Sequence, residues 1–278
     1  MNLPHKIVII GGGAGGLELA TQLGQSLGKN HKAEITLVDQ KLTHIWKPLL
    51  HEIAAGTLNP HAEETNYFVH ASKNHYQFVL GSFIDVDPSN KKVLIETTSA
   101  QQKESAIKNH SLEYDTLIIA VGSTSNDFNT EGVKQYCHFL DSRKQADTFQ
   151  QDLLHLYLEA QNQENTRALN IAIIGAGATG VELAAELFQA KQTFFKYGLN
   201  KIDPNKVNIT LIEAADRILP ALSDTIAKHT HAQLQQFGVN LLTQHRVAKV
   251  DQDKIYFTDG SSIDAELKVW AAGIKAPA

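Results

Sequence analysis

The sequence predicts an α/β, doubly wound fold built from two Rossmann-like units, and three observations carry that prediction. Short runs rich in β-branched residues at 6–10 and 170–174 lead directly into glycine turns. Each turn is followed by apolar residues at helical spacing, and then by a second apolar run, 34–38 and 207–212, that closes on an acidic residue, Asp39 and Glu213. Unbroken apolar runs of this length suit parallel strands covered on both faces, and strands alternating with helices give a doubly wound sheet.

The glycine turns narrow the fold to a binding function. The stretch NIAIIGAGATGVELAAEL places Gly175, Gly177 and Gly180 in a GxGxxG pattern, and KIVIIGGGAGGLELATQL repeats it with Gly11, Gly13 and Gly16. In such a turn the first glycine permits the sharp bend, and the second lets the backbone approach a pyrophosphate. The third lets helix and strand pack closely, while the helix N-terminus presents unpaired N–H groups to phosphate oxygens. The pattern alone is weak, but here it sits between a strand and a helix and is followed by a strand ending in a carboxylate. The likeness extends past the glycines and sets Glu18 and Glu182 at equivalent helix positions. Two copies imply two dinucleotides.

Composition excludes several alternatives. The 30 acidic residues outnumber 25 basic ones, giving a net charge of −5 with no sustained basic run, which argues against nucleic-acid binding. No run of 18 or more apolar residues is present, so no helical membrane span is expected. Lys6 leads straight into the first strand without the shape of a signal peptide, and the lone Cys137 excludes an internal disulfide. A reducing, cytoplasmic address is therefore expected. Cys137, in the context QYCHFL, is expected to be buried and inert. The 13 histidines include no HExxH pair, and His229 and His231 point apart on a helix, so no metal site is expected. His44, His51 and His61 flank the segment after Asp39, where a plain structural role is expected.

Along the chain, Leu17, Ala20, Leu23 and Leu27 mark the sheet-facing side of the first helix. Pro48 opens a short helix burying Leu49, Ile53 and Ala54. A further helix is expected over 62–74, strands over 76–80, 83–86 and 92–97, a polar surface loop over 101–110, and a buried strand over 114–120. Residues 142–163 read as an exposed helix with one apolar stripe at Ala146, Phe149, Leu153 and Leu156. The polar stretch after it suggests a boundary, with one domain over 1–165 and the other over 166–278. The second domain continues with a helix near 223–237 and short strands at 240–242, 246–250, 254–257 and 267–270.

The order GGGAGG, YDTLIIAVGS, GAGATGVELAAEL, LIEAADRILP and VWAAGIKAP resembles the two-dinucleotide-binding-domain flavoproteins, and most of all the type II NADH dehydrogenases, single-subunit NADH:quinone oxidoreductases. WKPLLHEIAAGTL adds to the match, which covers nearly the whole chain. The resemblance implies FAD at the first fingerprint and NADH at the second, with the NADH domain inserted into the flavin domain. By position, Gly11, Gly13, Ala14, Gly16, Asp39, Lys47, Phe83, Ala120 and Gly122 would serve FAD. Gly175, Gly177, Thr179, Gly180, Glu213 and Gly273 would serve NADH. Glu182 matches a family glutamate close to where nicotinamide and flavin stack, and would be catalytic.

In the family the chain runs on into a second FAD-contacting stretch, a quinone segment and amphipathic helices that sit on the membrane. These do not follow Ala278 here, so the first domain is expected to be incomplete, with the membrane surface reached only through such a C-terminal part. The resemblance implies hydride transfer from NADH to FAD and on to a quinone, a place at the cytoplasmic face of the inner membrane, and a homodimer. Two alternatives stay open: a nucleotide-binding fragment without turnover, and an NADH reductase of a soluble acceptor such as ferredoxin. A disulfide-reductase mechanism is disfavoured by the single cysteine.

Overall fold

The computed structural model describes residues 3–97, 108–162, 168–199 and 203–277. It divides into two compact units, Met1–Lys47 with Pro60–Ser123 and Ala276–Ala278, and Pro48–Asn59 with Thr124–Lys275.

The central strand of the first unit, His5–Ile10, runs parallel to Ala33–Asp39 on one side and Thr116–Ile119 on the other, with Gln77–Leu80 beyond Ala33–Asp39. A three-stranded antiparallel meander, Ser82–Asp87, Lys92–Thr97 and Lys108–Glu113, is inserted before the last parallel strand. The second unit has the same plan. Leu169–Ile174 lies between Val207–Ile212 and Leu267–Trp270, Asn240–Leu242 is the outer strand, and Val247–Val250, Lys254–Phe257 and Ser262–Asp264 form the meander. The chain therefore repeats a whole topology, of which the glycine turns are one part.

Both central strands are apolar over 7–10 and 171–174, where they are buried on both faces. Ile9 and Ile173 are wholly buried, and Ala20 of the first helix, Ala14–Leu23, is packed on the sheet with Leu17, Leu23 and Leu27 around it, as the spacing predicts. The start of each central strand is latched the same way. Asp115 accepts from the Lys6 N–H at 2.8 Å and Glu266 from the Asn170 N–H at 2.8 Å, each just ahead of its unit's last parallel strand.

Several elements differ from the sequence reading. Lys108–Glu113 is a strand where a polar loop was expected to reach residue 110, while residues 98–107 lie outside the described ones. Its register sets Leu112 against Val93 and His110 against Ile95, so pairing with a buried neighbour supplies what its polar sequence lacks. Thr116–Ile119 is no buried strand, because it ends its sheet, and Ile119 is 56% exposed. The helix expected from residue 62 starts at Tyr67, where the Asn66 side chain accepts from the Val69 N–H at 3.1 Å and caps it.

The contact division also differs from the boundary at 165/166. The Arg143–Asn162 helix buries Ala146, Phe149, Leu153 and, in place of Leu156, Tyr157, and it packs on the Leu50–Ala55 helix, which in turn meets the Ala178–Lys196 helix. Packing thus carries both segments into the second unit. Phe149→Ala should cost about 3–5 kcal/mol in urea unfolding, as for a large core aromatic. A cost near zero would mean that this helix is a solvated connector.

Candidate functional site

The two glycine turns are held by identical devices. After the central strand, the Gly11 N–H donates to the Val38 carbonyl at 2.8 Å, and the Gly175 N–H to that of Ile212 at 2.8 Å. The next amide is taken by the carboxylate ending the second strand: Gly12 N–H to Asp39 Oδ2 at 2.7 Å, and Ala176 N–H to Glu213 Oε2 at 2.9 Å. The other carboxylate oxygen accepts an amide two residues on, Lys41 N–H at 2.8 Å and Ala215 N–H at 2.9 Å. Asp39 and Glu213, read from the sequence as ligand-facing carboxylates, are thus also the ties that hold each turn to its sheet. A carboxylate oxygen has further acceptor capacity after one such bond.

The three glycines of each motif differ in what requires them. Gly11 and Gly175 have φ of +101° and +104°, and a Cβ on either would strike the backbone of the neighbouring strand's end, Ala120 or Ala272. A Cβ on Gly16 or Gly180 would strike the carbonyl of Gly11 or Gly175. Gly13 and Gly177 are different. Their backbone is extended, at φ −62° and −73°, and an added Cβ meets nothing within 4 Å. Nothing in the protein itself requires glycine at these two places. Each also N-caps its helix with no side chain bonded to the helix end, so the approach to that end is clear for a phosphate. The residues therefore fit a dinucleotide pyrophosphate in both units.

The copies diverge in how the middle carbonyl of the turn is held. Ala176 O accepts from the Leu219 N–H at 2.8 Å, whereas Gly12 O accepts from the Tyr67 hydroxyl at 2.5 Å and His44 Nδ1 at 3.0 Å. Tyr67 stacks on Phe78 and would collide with a Cβ at position 12, which is why the first copy reads GGG and the second GAG. Burial pushes the Tyr67 hydroxyl well above its ordinary range and holds His44 below the usual imidazole value, so both remain neutral donors.

The second turn opens onto a cleft of about 580 Å³. Gly175, Gly177, Glu213, Ala214, His245 and Arg246 line it toward the carboxylate, and Phe128, Trp270 and Gly273 line it elsewhere. Arg217, four residues after Glu213, is committed to the Asp224 carboxylate and to the carbonyls of Pro220 and Leu222 at 3.0 Å each, bracing the start of the Asp224–Gln236 helix. Arg246 is the residue that the sequence reading missed. It lies in no recognisable motif, and its only signal was a basic residue at the start of a short strand.

The remaining predicted positions are distributed as follows. Ala14 and Thr179 are exposed in the first turns of the two helices. Ala120 donates its N–H to Ile10 O at 2.7 Å, matching Ala271 to Ile174 at 2.7 Å, and Gly122 and Gly273 have φ of +74° and +69°. Lys47 Nζ donates to Ser123 O at 3.0 Å. Phe83, partly buried, packs against the cluster of Val8, Ile10, Val38, Val93 and Ile95. Glu182 is half-exposed and faces His51 Nδ1 at 3.5 Å, whereas its counterpart Glu18 accepts from Gln22 of its own helix at 2.7 Å. Equivalent positions have thus acquired different neighbours. Cys137 is partly buried, and burial pushes its thiol up to about 12, far from a reactive thiolate.

Two parallel sheets, each with a glycine turn and a carboxylate latch at the carboxyl end of its central strand, define a fold of the double dinucleotide-binding type. The family model described as pyridine nucleotide-disulphide oxidoreductase matches residues 5–278, and the chain belongs to that family. It is 41% identical to a type II NADH:quinone oxidoreductase of Haemophilus influenzae across 98% of this chain and 64% of that protein. The protein of the same name from Staphylococcus aureus is 30% identical, across 97% of this chain and 65% of its own length. The chain thus spans about two thirds of these relatives. Among solved structures, that of NDH2 from Plasmodium falciparum in complex with NADH superposes with a TM-score of 0.85 at 24% identity, over 98% of this chain and 56% of that one.

Glu213→Ala should speed amide exchange at Ala176 and Ala215 and cost about 1–3 kcal/mol, the range for buried donors left unpaired. Exchange rates at those two amides equal to wild type would show that the latch does not hold the turn.

Proposed function

We propose that the protein to which these residues belong is an NADH:quinone oxidoreductase of the type II kind, with FAD at the first turn and NADH at the second. The observation that carries the reading is the pair Gly13 and Gly177, two glycines that the protein's own packing does not need. A ligand approaching the backbone there supplies the reason, and the names of the most similar relatives supply its class. The domains follow the nucleotides, FAD with 1–165 and NADH with 166–278, even though packing divides the chain elsewhere.

Gly11, Gly13, Ala14, Gly16 and Asp39 hold the FAD pyrophosphate and ribose, with Lys47, Phe83, Ala120 and Gly122 supporting the flavin end. Gly175, Gly177, Thr179, Gly180, Glu213 and Gly273 hold NADH. When bound, the nicotinamide would supply a hydride and the flavin ring would accept it, while these residues would supply position and electrostatics. Glu182 is the group assigned to orient the nicotinamide and to face its developing positive charge. Its contact with His51, which Glu18 lacks, supports that separate assignment. The quinone is the proposed acceptor, reached at a membrane surface. Among the described residues no helix is long and apolar enough to cross a membrane. The lone Cys137 leaves no cysteine pair for disulfide chemistry within this sequence.

Two measurements test the reading. Gly177→Val should weaken NADH binding by well over tenfold, more than ~1.4 kcal/mol, in a protein that still folds, because the added Cβ meets no protein atom within 4 Å. Unchanged affinity in that variant would remove the assignment of the second turn. Glu182→Gln in a flavin-loaded, full-length protein should slow stopped-flow reduction of the flavin by NADH, by about 10–100-fold as for a lost electrostatic contact, and leave FAD retention unchanged. A wild-type rate would return Glu182 to a structural role beside His51.

A further inference from the structure

The cleft beside the second turn carries a feature that the NADH reading does not use. Arg246 lines it next to Glu213, is exposed, and its side chain makes no hydrogen bond or ion pair among the described residues. It is also the one Lys or Arg among the described residues that line the cleft. Its neighbour His245 is engaged with Thr243 O at 2.6 Å and against the Phe257 ring. The backbone around Arg246 is pinned to the carboxylate end of the cleft: Gln244 N–H donates to Ala215 O at 2.8 Å, His245 N–H to Glu213 O at 3.0 Å, and Thr258 N–H to Arg246 O at 2.9 Å. The root of the side chain is therefore fixed beside Glu213, and its guanidinium is not committed to another group among the described residues.

Glu213 has no such freedom, because both of its oxygens accept backbone amides. A 2′-phosphate brought to the ribose would meet a fixed negative charge and bring about 1.5–2 negative charges of its own at neutral pH. An uncommitted guanidinium at the same end is the group that offsets this, and its planar fork suits phosphate oxygens. Arg217, the cation closest to Glu213 in sequence terms among the two arginines, is tied to Asp224 and the loop carbonyls. Resting on the assignment of the second turn to a nicotinamide dinucleotide, we infer that Arg246, opposed to Glu213, sets how far the cleft discriminates between NADH and its 2′-phosphorylated form. Glu213 supplies the preference for NADH, and Arg246 limits its size.

The test is calorimetric binding of NADH, NADPH and the adenosine-half probes 5′-AMP and 2′,5′-ADP to wild type, Arg246→Ala and Arg246→Lys. Wild type should prefer NADH. Arg246→Ala should weaken NADPH and 2′,5′-ADP by about tenfold and NADH and 5′-AMP by less than about threefold, with Arg246→Lys between because the charge survives without the fork. Its exposure predicts an unchanged melting temperature for both variants. If wild type binds NADH but Arg246→Ala shifts all four probes equally, or none, the Arg246 assignment fails alone. If wild type binds no dinucleotide, the assignment of the second turn fails and takes this one with it.

Discussion

In both units the candidate site depends on a carboxylate that never leaves the backbone. A tight glycine turn after a buried strand exposes amides that must be paired or left at a cost of about 1–3 kcal/mol each. Asp39 and Glu213, at the ends of the adjacent strands, accept the Gly12 and Ala176 amides and, with their other oxygens, the amides of Lys41 and Ala215. Because parallel pairing puts the end of the second strand beside the end of the first, the acid is delivered to the turn by register alone. The glycine turn, the helix entry and the cleft wall are all placed by that one contact.

The same plan, used twice, shows which features belong to the fold and which to a particular site. The carboxylate latch, the two glycines forbidden a Cβ and the acids that tie the starts of the central strands are common to both copies. The clamp on the middle carbonyl is not. In the first unit it comes from Tyr67 and His44, kept neutral by burial, and in the second from the Leu219 amide. Glu18 and Glu182 likewise share a position and differ in surroundings, one bonded along its own helix and the other facing His51. Divergence has accumulated where side chains meet from elsewhere in the fold, while the backbone-to-carboxylate contacts are retained.

Much of this was legible in the chain as written. The central strands, their glycine turns and the acids closing the second strands are local patterns, and each appears where its pattern placed it. The polar strand Lys108–Glu113 was not legible, because its pairing partner Lys92–Thr97 supplies the apolar surface that its own residues lack. The Arg143–Asn162 helix showed its apolar stripe, but the stripe does not say what covers it, and its placement with Leu50–Ala55 joins residues far apart in sequence. Arg246 sat outside every motif, and only the backbone bonds from 244–245 to Glu213 and Ala215 bring it to the cleft.

The sequence by itself determined the fold class, the number of nucleotide turns and the residues at their centre. These follow from steric limits and hydrogen-bonding needs within a few residues of backbone. Only the tertiary structure decided that Gly13 and Gly177 are free of protein neighbours, that Arg217 is occupied while Arg246 is not, and that Glu182 has a histidine beside it where Glu18 has none. Those facts depend on which distant segments occupy the space around a side chain. Periodicity and spacing carry no record of that, because close packing brings together residues that sequence keeps apart.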